Sequence, residues 1–458
     1  MSDSAAPAVQ RTKLKTRHLT MMGLGSAIGA GLFLGVGVGI QVAGTSVLLA
    51  YSVAGVLVTL LMYMLGEMAS SRPSLGSFST YAGEAFGNWA RFTTGWLYWF
   101  MLTMVMGAEI TGAAAIISSW FGISPWIPAL IAVIFFAVVN FAAVQGFGEF
   151  EFWFAIIKVA VIVAFLALGA FLILGPGEVQ TENFSTNFMP NGIPGFAAGL
   201  LAVAFAFGGI ELVTIAAAES ENPAGNVATA VRAVIFRIMF FYVGSVAVIA
   251  LLLPFSNIQG ADVAAQSPFT QLLDLANVPY AATIMEVVIA IALLSAFNAQ
   301  IYATSRLVYN MAKDGNAPRF FTHISKGHSP TYAVTLSMLF AFASVGLQYW
   351  NPPGLIAFLF NAVGGCLIVL WVFIALSYMK LKPLLGNSAL TLPGFPVVPI
   401  AVIVGLGLLV LLMMFEESTR PQLISVGIIA GGLVAIALAV PSLRNNTPEQ
   451  PQMTAQIN

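Results

Sequence analysis

Four ionisable residues stand inside stretches otherwise apolar enough to cross a membrane: Glu109, Lys158, Glu211 and Glu286. A charge at bilayer depth costs roughly 3 kcal/mol or more unless it is paired or hydrated, so each marks a place where a charge has work to do. One use is structural, an ion pair holding a helix bundle together. The other is chemical. A buried lysine balanced by a carboxylate can take up and release a proton as its surroundings open and close. Lys158 fits that use, or the use of a fixed cation between the first, fifth and eighth apolar segments. Ser295 and Asn298, three residues apart and so on one helix face, offer it polar partners. Glu109 suits either a ligand ammonium or a travelling proton. Glu211 follows Gly208-Gly209 closely, where a carboxylate can accept from freed backbone N–H groups of the first segment or hold a break in its own.

Backbone is the second source of chemistry. Gly23 to Ile40 reads "GLGSAIGAGLFLGVGVGI", with seven glycines in eighteen residues, although glycine costs about 1 kcal/mol relative to alanine in a helix interior. A dinucleotide fingerprint would need a preceding strand and an acid about 20 residues on. Here a basic polar tail precedes, and the first acid downstream is Glu67. Close helix packing fits the four-residue spacing of Gly31, Gly35 and Gly39. A broken helix fits Ser26, Ala27, Ile28, Gly29, Ala30 and Gly31, because a break at membrane depth persists only where its unpaired N–H and C=O groups line a cavity or meet a ligand. Such breaks come in pairs. The sixth apolar segment reads "FAFGGIELVTIAAAES", with Gly208 and Gly209 mid-segment and Phe205 and Phe207 beside them as either lids or packing residues.

These residues must be positioned by membrane helices. The chain has 458 residues, 59% hydrophobic and 8% charged, against about 25% charged in soluble domains. Residues 19–66, 110–148, 238–261, 329–379 and 383–415 hold no Asp, Glu, Lys or Arg. We read twelve spans: 20–40, 45–69, 92–119, 126–146, 152–175, 196–218, 233–255, 280–310, 330–349, 354–379, 395–415 and 421–441. With the N-terminus cytoplasmic, nearly every lysine and arginine falls in or beside an inside segment, and only Arg420 lies outside. The positive-inside rule thus supports twelve spans with both termini cytoplasmic. The fold class expected is all-α, an inverted five-plus-five repeat with two C-terminal helices. Its parts are a tail at 1–18, one membrane domain at 19–441 (repeats at about 19–175 and 194–379, last helices at about 395–441) and a tail at 442–458.

Several function classes fall away. No G-x-x-x-x-G-K-[ST] motif is present to bind ATP, and the longest loop, near 256–279, is too short for a nucleotide-binding unit. The lone Cys366 forms no intramolecular disulfide or thiolate cluster, and His18, His323 and His328 lie in polar segments, so no metal or other cofactor is expected. No nucleophile, base and acid converge at one depth, which argues against an enzyme, and nothing marks a nucleic-acid partner. The remaining partners are the lipid bilayer, a small molecule and a coupling ion.

Assembled, these features resemble the amino acid permeases of the amino acid–polyamine–organocation superfamily. The resemblance rests on "LKTRHLTMMGLGSAIGAGLFLG", "EMASSRPSLGSFSTYA", "FGEFEFWFAIIKV" with Glu149, Glu151 and Lys158, "FAFGGIELVTIAAAESENP", and "YATSRLVYNMAKDGNAPRFF" with Ser305-Arg306 and Gly315-x-Ala317-Pro318. It runs from about Leu14 to the last span. It implies a secondary transporter of the bacterial inner membrane, importing an amino acid by alternating access, for which a monomer suffices. It places the substrate carboxylate on the backbone of Ser26 to Gly31, and the amino group near carbonyls around Ala27 and Phe205 to Gly208. Phe205 takes the aromatic gate position. Lys158 stands where sodium-coupled relatives bind sodium, which implies proton symport. Two departures stand out. Ala30 replaces a hydroxyl residue common in relatives. Glu286 replaces a neutral one, and either alters side-chain selection or coupling, or sits at the bundle surface. Span six and "VPYAATIM" look most like γ-aminobutyrate permeases, with aromatic and proline permeases next. An exchanger, or a receptor that binds without flux, are the alternatives.

Overall fold

The computed structural model describes residues 28–74, 77–142, 147–175, 177–209, 211, 214, 223–258, 267–325, 329–386, 388–415, 417, 419–441 and 443. Among them every regular element is helical. The α-helices are α1 (Ala30–Phe33), α2 (Gly35–Ala43), α3 (Val47–Ser71), α4 (Ser77–Phe86), α5 (Asn88–Phe121), α6 (Trp126–Ala142), α7 (Phe147–Leu174) and α8 (Thr181–Ser185). They continue with α9 (Gly192–Ala206), α10 (Pro223–Leu252), α11 (Pro268–Leu275), α12 (Ala281–Lys313), α13 (Thr331–Trp350), α14 (Leu355–Leu381), α15 (Val397–Phe415) and α16 (Arg420–Ala439). Eight helical stretches among the described residues are long and apolar enough to span a bilayer.

Helix ends follow local chemistry. Gly122 and Gly354 take positive φ at a C-cap and an N-cap, a conformation glycine reaches without a Cβ penalty. Pro268 opens α11 at a position where its missing N–H costs nothing. Large apolar side chains such as Ile131, Phe135, Val138, Phe171, Leu174 and Ile428 point outward. In water they would form an unstable apolar skin, whereas lipid solvates them.

Packing divides the bundle into two sets. In the first, α9 packs on α1, α2 and α3, and α10 packs on α3. In the second, α5, α6, α12 and α13 pack on one another. Helices that bridge the sets include α14, which touches α3, α5 and α9, and α7, which touches α10 and α12.

The structure revises three readings of the sequence. Among the described residues the first span is interrupted at Leu34. Ile28 and Gly29 precede the helix, while Ala30 and Gly31, expected within the break, form its first turn. Leu34 then separates α1 from α2. The Gly37 and Val38 N–H groups both bond the Leu34 carbonyl, which leaves the Phe33 carbonyl for the Ser267 hydroxyl at 2.6 Å. Second, the 256–279 loop is not simple. It carries α11, whose Phe269 ring lies 5.2 Å from Phe33 and 4.7 Å from Phe165. Third, in the sixth span α9 stops at Ala206, and beyond Gly209 only Glu211 and the helical Thr214 of that span are described. Ser26, Ala27 and Ile210 lie outside the described residues.

Candidate functional site

At the first break the start of α1 points at a carboxylate. Gly29 is the N-cap residue and has no side chain to supply a cap. The acceptor comes instead from Glu109, in the middle of α5, whose two carboxyl oxygens each lie 3.1 Å from the Ala30 N–H. A helix N-terminus carries partial positive charge and unpaired donors, so a carboxylate is at home there. Gly29 makes the approach possible: a Cβ at that position would collide with the Glu109 carboxyl. Lys158, on α7 and 1% exposed, is an electrostatic neighbour of Glu109. Tyr242 on α10 is another. A carboxylate and a backbone N–H singled out in the sequence therefore meet at one buried point, with the buried Lys158 an electrostatic neighbour.

At the second break α9 winds down through two tight bonds, Phe207 N–H to the Ala204 carbonyl at 3.1 Å and Gly208 N–H to the Phe205 carbonyl at 2.9 Å. Gly209 then takes φ +92°, which a side chain would resist. Its N–H lies 3.3 Å from Glu211 Oε1. Among the described residues this contact lies within Glu211's own segment. Tyr98 on α5 is its side-chain neighbour. Tyr98 and Glu109 are eleven residues apart on one helix, about 16 Å along its axis, so the two carboxylates occupy different depths.

The two broken elements touch. A Cβ on Gly31 would stand 2.7 Å from the Ala206 Cα, whereas the nearest atom to one on Gly35 is 3.7 Å away. Gly31→Ala is therefore expected to lower stability by about 1–3 kcal/mol through overpacking. Gly35→Ala should be neutral or mildly stabilising. Thermal unfolding of the two variants in one detergent checks this, and equal melting temperatures would contradict it.

Aromatic rings close the site. Phe205 stacks on Phe360 of α14 with centroids 3.9 Å apart and planes 19° apart. Phe207 sits 6.0 Å from Tyr51 and 5.4 Å from Tyr242. Tyr51, Tyr242 and Phe360 were not singled out in the sequence. The available signal was a tyrosine hydroxyl inside an apolar helix, which needs a polar neighbour when buried.

Asn298 and Glu286 lie elsewhere. Asn298 accepts from Asn140 of α6 at 2.8 Å, a bond on the α6 side of α12 that gives Lys158 no part in it. Ser295 is buried one turn earlier. Glu286 accepts from the indole N–H of Trp120 at 2.8 Å in an exposed contact. That contact sits eleven residues, about 16 Å along α5, from Glu109, and it matches the bundle-surface alternative.

Comparison with known proteins matches residues 18–443 to the amino acid permease family model. An aromatic amino acid transport protein of Corynebacterium glutamicum is 62% identical over 436 residues, covering 93% of this chain and 94% of that one. The γ-aminobutyric acid permease of Bacillus subtilis is 39% identical, covering 92% of each chain. Among solved structures, a manganese transporter of Eremococcus coleocola superposes with a TM-score of 0.55 at 14% identity over 94% of each chain. At that identity the likeness concerns the fold alone.

Proposed function

This chain belongs to the amino acid permease family, and from that premise we propose that it imports aromatic amino acids, each together with a proton, by alternating access. In this reading twelve spans form an inverted five-plus-five repeat with two further helices in the bacterial inner membrane, and both termini are cytoplasmic. One observation carries it: two interrupted helices meet at Gly31 and Ala206, and the N–H end of the first is capped by a buried carboxylate that neighbours a buried lysine.

The cycle follows from that cap. A substrate carboxylate arriving at the α1 N-terminus meets Glu109 already there. Two carboxylates at one set of donors repel, and a proton on one of them, or a swing of Glu109 toward Lys158, relieves the repulsion. Binding of the anionic group and uptake of a proton are thereby linked. Carbonyls at the end of α9 suit the substrate ammonium. Phe205 then closes over the ligand. One charge moving down the membrane potential supplies about 2.3 kcal/mol per 100 mV, enough to concentrate substrate.

The aromatic assignment draws on the 62% identical relative and on the Phe205–Phe360 and Phe207–Tyr51–Tyr242 rings, which offer faces for an aromatic side chain. γ-Aminobutyrate is the second reading, favoured by the 39% identical permease. Competition against radiolabelled phenylalanine uptake separates them. Tyrosine and tryptophan in tenfold excess should suppress uptake, while γ-aminobutyrate, proline, lysine and glutamate should leave it nearly intact. Suppression by γ-aminobutyrate alone would overturn the aromatic assignment.

A further inference from the structure

A second buried carboxylate lies outside the site described above, at the end of the bundle rich in lysine and arginine. Glu67, near the end of α3, is 1% exposed. Its Oε2 accepts from the Tyr378 hydroxyl at 2.7 Å and from the Leu392 N–H at 2.9 Å. Its Oε1 is paired with the Lys382 ammonium. Tyr378 belongs to α14, and Lys382 and Leu392 belong to the connection that follows it. This one side chain therefore gathers the end of α14 and the segment leading to α15 onto α3.

The same segment is tied down along its length. Ser388 and Ser70 hydroxyl oxygens are 2.5 Å apart. Arg72 donates to the Leu384 carbonyl at 3.0 Å, and Arg232 of α10 donates to the Ala389 carbonyl at 3.2 Å. Leu390, 1% exposed, seats where Gly66 has no side chain; a Cβ there would lie 2.6 Å from Leu390 Cδ2. The segment thus straps α3 and α10, which belong to the set carrying both breaks, to α14, which packs on α5 of the other set.

The chemistry suits repeated release. The Lys382 side chain is a quarter exposed, so the network stands at the water's edge. Withdrawal of Lys382 and the Leu392 N–H lets water replace these two donors at Glu67, an exchange that is close to balanced in free energy. A carboxylate sealed in the bundle centre would have no such substitute. Serine hydroxyls, a backbone N–H and a lysine make a contact that is specific in geometry yet recoverable.

We propose that Lys382 to Gly386 and Ser388 to Leu392 form a latch that must leave Glu67 before this end of the bundle opens. The proposal rests on the alternating-access reading above. In the proposed topology this end is cytoplasmic, so the latch gates release of substrate to the cell interior.

The Ser70–Ser388 contact supplies the test. In a Cys366→Ser background, Ser70→Cys and Ser388→Cys place two thiols at disulfide distance. Oxidation should cross-link them and cut phenylalanine uptake into proteoliposomes at least about tenfold, and reductant should restore it. Uptake unchanged by a cross-link confirmed on a gel would overturn the latch. The reduced protein is its own control, since an absence of uptake there counts against the transport reading and not against the latch. A second arm needs no flux. Ser388→Cys in the Cys366→Ser protein, held in nanodiscs with both faces accessible, is labelled by a water-soluble maleimide. Adding Glu67→Gln should raise the labelling rate several-fold, because the ion pair with Lys382 is lost. Equal rates with Glu67 and with Gln at that position would overturn the proposal.

Discussion

Glu109→Gln is expected to leave a carrier that exchanges substrate but no longer concentrates it. The amide keeps an oxygen for the Ala30 N–H, so the cap on α1 survives in geometry. It cannot take a proton, so the repulsion that links substrate binding to proton uptake disappears. One proton crossing a difference of one pH unit supplies about 1.36 kcal/mol, which supports a tenfold concentration ratio. The wild-type protein should approach that ratio under such a gradient, and Glu109→Gln should fall to about one. Counterflow, in which internal unlabelled substrate exchanges for external label, should persist within a few-fold. A variant that still builds the full ratio would remove Glu109 from coupling. One that loses counterflow as well would show the residue to be needed for binding itself.

Lys158→Ala should have the larger effect on the fold. The side chain fills a fully buried position and is an electrostatic neighbour of Glu109. Its removal leaves a carboxylate in the bundle centre with one fewer compensating group. Leaving a buried charge with less compensation is destabilising. Coupled uptake should be abolished and the melting temperature should drop. The double substitution Lys158→Met with Glu109→Gln removes both charges and should recover much of the stability without recovering accumulation. Energies that simply add across the cycle would show that the two residues do not interact. Near-normal accumulation by Lys158→Ala would rule out its coupling role.

What was legible in the sequence was the part written in local terms. Gly208-Gly209 announced an interruption, and the backbone turns there, with Gly209 at positive φ. Gly29 announced another, and the helix starts one residue later. The apolar runs gave helices, eight of them among the described residues long and apolar enough to cross a bilayer, because a single segment satisfies its own backbone in lipid only as a helix. The irregularity at Leu34 carried no such mark. No proline or glycine stands at that position, and the partner that satisfies the Phe33 carbonyl is Ser267, 234 residues away. The short amphipathic helices α4 and α11 were also missed, because polar residues along one face read as loop when the only question asked is whether a segment can span a membrane.

The candidate site was half legible for a similar reason. A charge in a span is visible as a cost, but the group that offsets it is a matter of tertiary contact. Glu109 was expected to meet an ammonium or a proton, and the structure places it on the N–H group assigned to the substrate's own carboxylate. Gly29 was read as a source of backbone freedom. Its φ of −151° needs no glycine, and the requirement is the space taken by Glu109. Glu286 and Asn298 looked alike in the sequence, polar residues in one apolar helix, but they face Trp120 and Asn140 at the α5 and α6 sides. Glu67 received no weight because it stands at the end of a span, where a charge costs little. Only the fold shows that the chain returns to it more than 300 residues later.

Coupled import requires a proton to move with the substrate past the capped start of α1. The most direct measurement is uptake of radiolabelled phenylalanine by the purified protein in proteoliposomes, with no sodium on either side and an imposed gradient that is acidic outside. The account predicts accumulation above equilibrium that collapses when a protonophore dissipates the gradient, and that is absent with Glu109→Gln. Accumulation that requires sodium and ignores the pH gradient would contradict it.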